Sequence, residues 1–174
     1  RSRTKVRQPL IDVCPNLKVI VRGGAGLDTI DAEYAKSKGI TVMNTPHANS
    51  ASVAELAIGY MFMLARNLYK ASATMKAEKW EKKAFEGVEL GGKTLGLIGY
   101  GKIGHITATL ALALGMKVVA FDPYVQSMNG VKMVTLDELL AQSDYISLHT
   151  PKTKETSNMI GAEQFAKMKD GARI

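Results

Sequence analysis

Gly99-Tyr100-Gly101-Lys102-Ile103-Gly104 places three glycines at G-x-G-x-x-G spacing. The spacing alone is weak, because glycines are common; what surrounds it gives it weight. An apolar strand pattern, Leu95-Gly96-Leu97-Ile98, leads into it, and a helix pattern of small apolar residues leaves it. In such a unit the first glycine permits a tight turn. Gly101 lets backbone approach a pyrophosphate, and Gly104 lets helix and strand pack closely. The phosphates would rest on free backbone N–H groups at the positive end of the helix. The following strand pattern ends at Asp122, 23 residues after Gly99, near the offset of about 20 expected for a ribose-binding acid. A carboxylate there accepts hydrogen bonds from ribose hydroxyls and repels a 2′-phosphate, which favours NAD over NADP. The competing reading is a structural glycine turn followed by an aspartate that caps a loop.

Three further stretches carry candidate chemistry. Ser147-Leu148-His149-Thr150-Pro151 leaves a strand where the strand order of a doubly wound sheet should reverse, and ligands of such sheets bind beyond the carboxyl ends there. His149 and Thr150 are therefore candidates for the nicotinamide side of a cofactor, although His149 could equally cap the strand end and move no proton. Arg22-Gly23-Gly24-Ala25-Gly26 offers a guanidinium and open backbone N–H groups suited to a carboxylate or phosphate. A flexible strand-to-helix turn is the plain alternative. His47 and His105 have less support; His105 follows the glycine turn and reads as surface or packing. One cysteine and three scattered histidines give no metal-ligand spacing, and no G-x-S-x-G elbow is present.

These residues need elements to hold them. Short strands are expected at Leu17–Val21 and Ile40–Met43, with a helix at Asp31–Ser37 between them that Gly39 stops. Ser52 and Glu55 have capping-box spacing and predict a helix running to about Asn67. That helix is apolar nearly all round and must be covered on both sides; this chain's own core can cover one, and a second subunit is a candidate for the other. Leu68–Gly92 reads as a polar, partly helical arm with Trp80 and Phe85 as apolar anchors. Beyond it, strands at Thr94–Ile98, Lys117–Phe121, Val131–Val134, Tyr145–Leu148 and from Ala172 alternate with helices at Ile103–Leu114, Leu136–Ala141 and Ala162–Lys167. Thr135 and Glu138 form a capping box for the second of these helices. The alternation predicts an α/β fold with a doubly wound parallel sheet.

The 174 residues suit one domain and part of another. The net charge of +7 is spread among lysines that alternate with glutamates between Lys76 and Lys93. That is a mixed-charge surface, not a nucleic-acid stripe. A single cysteine, Cys14, excludes an intrachain disulfide and suits a reducing compartment. The longest apolar run, Val53–Ala65, is interrupted by Glu55 and is too short to span a bilayer.

The blocks "LKVIVRGGAGLDTIDAEYAKSKGITVMNTP", "SVAELAIGYMFMLAR", "WEKKAFEGVELGGKTLGLIGYGKIG", "GMKVVAFDPY" and "DYISLHTP" resemble the D-isomer-specific 2-hydroxyacid dehydrogenases, and within them most closely the phosphoglycerate dehydrogenase branch. The resemblance implies two domains: residues 1–46 as the end of a substrate domain and residues 47–174 as a Rossmann nucleotide domain cut after its fifth strand. It implies NAD as cofactor and a homodimer built on Ser52–Arg66 and the arm after it. No nucleic-acid or membrane partner is expected, and the location is expected to be cytoplasmic. Lys102 and Ile103 would offer N–H groups to the pyrophosphate, and Asp122 would hold the ribose. Thr150 would line the cofactor pocket, with Pro123, His149 and Pro151 in the same site, and Ala25 would lie near the nicotinamide. Arg22, Gly24 and Gly26 would approach the substrate's acidic groups. Ala25 stands where phosphoglycerate dehydrogenases often carry Thr, and Lys102 where the family commonly has Arg.

The implied reaction is NAD-dependent oxidation of 3-phospho-D-glycerate to 3-phosphohydroxypyruvate in serine biosynthesis. Alternatives are a relative acting on glyoxylate, hydroxypyruvate or D-lactate, and an NAD-sensing corepressor-like module. The family's catalytic arginine, glutamate and histidine are expected beyond Ile174. The chain by itself is therefore expected to be a fragment that turns nothing over, and Arg173 is not the catalytic arginine.

Overall fold

A computed structural model describes residues 4–125 and 130–174; the first three residues of the opening "RSRTKV" block lie outside it. The chain divides into two units, Arg1–Ser50 and Ala51–Ile174. In the first, helix α1 (Gln8–Asp12) precedes strand β1 (Val19–Arg22), helix α2 (Ala32–Ser37) and strand β2 (Thr41–Asn44). β1 and β2 pair in parallel, Val19 opposite Thr41 and Arg22 opposite Asn44. Asp31 caps α2 by accepting the Tyr34 N–H, and Gly39 follows the helix at φ +75°, a conformation that costs glycine nothing. Ile11, Ile20, Ile30, Ala35 and Ile40 form the core of this unit. Both strands sit one or two residues later than the apolar runs suggest. The ladder extends to Arg22 and Asn44, which are polar but paired.

The second unit contains a four-stranded parallel sheet. β3 (Thr94–Ile98) is flanked by β4 (Lys117–Phe121) and β6 (Tyr145–Leu148), and β5 (Lys132–Met133) lies outside β4. The order therefore reverses between β3 and β6. Alternation along the strands sorts two cores. Leu95, Leu97, Val118 and Ala120 face Ala108 and Ala111 of α5 (Lys102–Ala113) and Ile58, Met61 and Ala65 of α3 (Ser50–Ala65). Ile98, Val119 and Ile146 face Leu139 and Leu140 of α6 (Leu136–Gln142). Side chains of period two on a sheet covered by helices on both faces produce this three-layer arrangement. The doubly wound α/β reading holds, and the Thr135–Glu138 capping box is complete. Where a strand from Ala172 was expected, Arg173 makes a single parallel bridge with Tyr145.

One expectation changes. α3 begins at Ser50, not Ser52; the chain already winds at Thr45–His47, with the Ser50 N–H donating to His47 O. Ser52 and Glu55 thus lie inside the helix and form no capping box. In the single chain Trp80 is 78% exposed, whereas Phe85 is half-buried. The arm consists of α4 (Leu68–Lys76), which buries nothing, and one 3-10 turn at Lys82–Phe85. α3 buries Ala54, Ile58, Met61 and Ala65 along one face, while Leu56, Tyr60, Phe62 and Leu64 stand exposed on the others.

Candidate functional site

The three glycines of the turn do different work, and steric room separates them. Gly99 sits at φ +92°, and its N–H donates to Phe121 O at 2.8 Å. A Cβ on Gly99 would stand 2.8 Å from the carbonyl oxygen of His149 and 3.0 Å from Thr150 Cγ2. A Cβ on Gly104 would overlap the carbonyl oxygen of Gly99, so helix and turn are in backbone contact. Gly101 differs: at φ −72° any residue fits, and a Cβ there would meet nothing within 4 Å. The fold itself does not require a bare backbone at Gly101. Gly101 is also the N-cap of α5, with no side chain capping it. The first N–H groups of a helix have no intrahelical partner. Lys102 and Ile103 stand in that first turn, where such unpaired N–H groups can receive an anion.

Asp122 closes this turn from β4. Its Oδ2 accepts the Tyr100 N–H at 2.8 Å and its Oδ1 accepts the Tyr124 N–H at 2.9 Å. One carboxylate thus locks the glycine turn to the end of the neighbouring strand. Each oxygen keeps a lone pair for a further donor such as a ribose hydroxyl. Pro123 and Tyr124 are exposed beside it. Tyr100, between the first two glycines, is 4% exposed; burial raises its phenol pKa, and His105 meets its ring edge-on at 6.0 Å. The sequence reading passed over Tyr100, although an aromatic residue directly before a cradle glycine is a signal that the turn is packed.

Across the switch point, the His149 N–H donates to Ile98 O at 2.8 Å. The His149 ring turns inward, with Nε2 3.2 Å from Ser147 Oγ and 3.4 Å from Thr107 Oγ1 on α5. Burial lowers its pKa. Thr150 is half-buried against the glycine turn. Beyond it a cavity of about 380 Å³ is lined by Thr150, Pro151, Lys152, Thr156, Ser157 and Asn158. Thr156 holds this loop by donating from Oγ1 to Pro151 O at 2.6 Å. Thr107 and Ser147 were not singled out from the sequence. The available signal was a hydroxyl at Thr107 in an otherwise apolar helix face.

In the first unit, the loop after β1 is organised by Arg22. Its Nη1 donates to Asp28 Oδ1 at 2.7 Å and to the carbonyl of Gly26. That ion pair holds the Asp28 carboxyl below its usual pKa. Asn44 Nδ2 donates to Ala25 O at 2.6 Å, while Gly24 is half-buried in the same loop. A cavity of about 460 Å³ opens beside Arg22, Gly23, Ile20 and Thr29. Asp28 escaped the sequence reading, yet an acid six positions from a lone loop arginine is the partner to look for. Among the described residues no cluster of His, Cys, Asp and Glu could hold a metal ion, and no helix is long and apolar enough to cross a membrane.

Comparison with known proteins agrees with this geometry. The chain is 53% identical over its whole length to the hydroxypyruvate reductase of Thermotoga maritima, covering 57% of that protein. It is 48% identical to the D-3-phosphoglycerate dehydrogenase of Archaeoglobus fulgidus, covering 34% of it. The chain thus spans between a third and somewhat over half of these relatives. Among solved structures, apo D-lactate dehydrogenase from Escherichia coli superposes with a TM-score of 0.90 at 33% identity, over 98% of this chain and 55% of that one. The Aquifex aeolicus D-lactate dehydrogenase complexed with NAD and lactic acid gives 0.81 at 38% identity, over 95% and 51%. The family profile "D-isomer specific 2-hydroxyacid dehydrogenase, NAD binding domain" matches residues 58–174, the stretch that carries the glycine turn, Asp122 and the β6 exit. The chain belongs to the D-isomer-specific 2-hydroxyacid dehydrogenase family and takes NAD as its cofactor.

Proposed function

We propose that this chain is the cofactor-seating part of an NAD-dependent dehydrogenase that converts a D-2-hydroxy acid to the 2-oxo acid. The observation that carries the reading is the bare cradle over Gly101, bounded by uncapped N–H groups of α5 and by Asp122. Lys102 and Ile103 would hold the diphosphate by backbone N–H, the free lone pairs of Asp122 would take the adenosine ribose, and Thr150 with Pro151 would wall the pocket. Bound NAD supplies the hydride acceptor. In the first unit, Arg22, with Gly24 and Gly26, would receive the substrate's acid group; its anchored Nη1 fixes the guanidinium plane for a carboxylate or phosphate. The proton acceptor is not assigned to a histidine of this chain: the His149 ring faces two hydroxyls, and His105 packs on Tyr100. The exposed apolar faces of α3 and the arm support pairing with a second copy through Ser52–Arg66.

For the substrate, 3-phospho-D-glycerate is the first reading. D-glycerate with hydroxypyruvate is the second, favoured by the 53% identity to a hydroxypyruvate reductase. The two differ by one phosphate group. The intact protein should reduce NAD with 3-phospho-D-glycerate and reduce hydroxypyruvate with NADH far less efficiently. The opposite ranking of kcat/KM replaces the first reading with the second. Turnover of neither, with NADH binding intact, refutes both and favours a binding module.

A further inference from the structure

The His149 ring is the one imidazole in the second unit that packs between α5 and β6, and none of the roles above uses its side chain. Thr107 is fully buried and its Oγ1 donates to Ile103 O at 2.9 Å. His149 Nε2 lies 3.4 Å from Thr107 Oγ1 and 3.2 Å from Ser147 Oγ, within hydrogen-bonding reach of both hydroxyls, and burial favours its neutral form. The line of contacts runs from β6 through the imidazole to Thr107 and on to the carbonyl of Ile103, in the first turn of α5.

We propose that His149 is a positioning residue: through Thr107 its ring ties the first turn of α5 to the exit of β6 and so sets the backbone N–H groups that receive the cofactor's diphosphate. The geometry separates this from a merely structural role. The His149 N–H already pairs with Ile98 O, so the strand end is held without the ring. What the ring adds is a cross-link to the helix whose N-terminus forms the cradle. A side-chain tether on the carbonyl face of Ile103 fixes the tilt of that turn, and hydrogen bonds to charged acceptors lose strength when their angle degrades.

This inference rests on the reading of the Gly101 cradle as the diphosphate seat, and the experiment separates the two. ADP and adenosine are titrated calorimetrically into the intact protein and its H149L, H149Q and T107V variants. Expected is a weakening of ADP binding by about 3- to 10-fold in H149L and T107V, the range of one hydrogen bond, with adenosine binding unchanged. The H149L/T107V double variant should be no worse than either single, because both cut one link. H149Q, whose Nε2 reaches near the same point, should recover to within about 2-fold of the parent. Unchanged ADP affinity in both H149L and T107V overturns the positioning role, as does an equal loss for ADP and adenosine. If the parent protein itself fails to bind ADP, the diphosphate seat is wrong and the inference falls with it. If H149L does not fold, T107V and H149Q decide by the same ADP-to-adenosine ratio.

Discussion

Replacing Gly101 with alanine should weaken cofactor binding and leave the fold intact, and the two magnitudes follow from the backbone. Gly101 has φ −72°, which alanine adopts freely, and its Cβ would enter open space. As an N-cap, alanine is worse than glycine by roughly 0.5–1 kcal/mol; the loss of unfolded-chain freedom returns about 0.4–1 kcal/mol. The net change in stability is therefore within about 0.5 kcal/mol of zero. The added methyl, however, stands where a diphosphate must touch the backbone. Pushing the phosphate oxygens off one N–H forfeits a charge-assisted hydrogen bond of about 1.5–3 kcal/mol, a weakening of roughly 10- to 150-fold. Gly99→Ala is the control of opposite sign. At φ +92° and 2.8 Å from His149 O it should lower stability by about 1–3 kcal/mol from backbone strain alone. Thermal unfolding and a fluorescence titration with NADH measure both quantities. A Gly101→Ala protein that melts like its parent and binds NADH equally well would show that no diphosphate lies on that backbone.

Asp122→Asn keeps one acceptor oxygen and loses the other, so either the Tyr100 or the Tyr124 N–H is left unpaired. Stability should drop by about 1 kcal/mol, and the ratio of NADP to NAD affinity should rise in titrations with both, because the repelling charge is gone. A charge on the exposed face of α3, as in Leu56→Asp, should shift a dimer to monomer in sedimentation without changing the far-ultraviolet dichroism; an unchanged mass would remove α3 from the interface. The His149 pKa is lowered by burial from 6.5. The neutral ring's contribution to stability is therefore present above about pH 6.5 and is lost as pH falls through the folded value. Melting temperatures between about pH 7.5 and about pH 5 should fall more steeply for the parent than for His149→Gln, and parallel slopes would contradict the shift.

What was legible in the sequence is what periodicity and backbone chemistry dictate. Alternation of buried strands with capped helices marked β3, β4, β6 and α6 at their observed bounds or within one residue. The glycine spacing and Asp122 pointed to a cradle because each position answers a steric demand that few residues meet. The start of α3 was misplaced for a physical reason. Ser52-x-x-Glu55 satisfies a capping pattern, but turn hydrogen bonds at Thr45–His47 already wind the chain, and local geometry overrode side-chain propensity. Trp80 stands exposed in the single chain because too few apolar neighbours surround it in the arm to bury it. Asp28 and Ser147 lie close in sequence to Arg22 and His149, whereas the contact of Thr107 with His149 spans 42 positions and forms only once α5 is laid against the exit of β6.

The same distinction separates the proposed cofactor seat from the proposed substrate site. The cradle is made of main chain: a positive φ at Gly99, a bare Cα at Gly101, a backbone contact at Gly104 and two unclaimed N–H groups of α5. Its proposed fitness for a diphosphate lies in what is absent from the side chains, and absence constrains the sequence strongly, since only glycine supplies a bare Cα. The proposed recognition of a substrate acid group would be built the other way. Arg22 makes no demand on its neighbours' identity except for a carbonyl at Gly26 and an acid at Asp28 to hold Nη1. A guanidinium held in that manner accepts a carboxylate or a phosphate with equal geometry. Discrimination between glycerate and phosphoglycerate must then come from how many cations surround the anion. One arginine can neutralise a carboxylate, whereas a substrate with a carboxylate and a phosphate needs at least one further cation, so adding a second positive charge beside Arg22 should raise kcat/KM for the phosphorylated acid selectively.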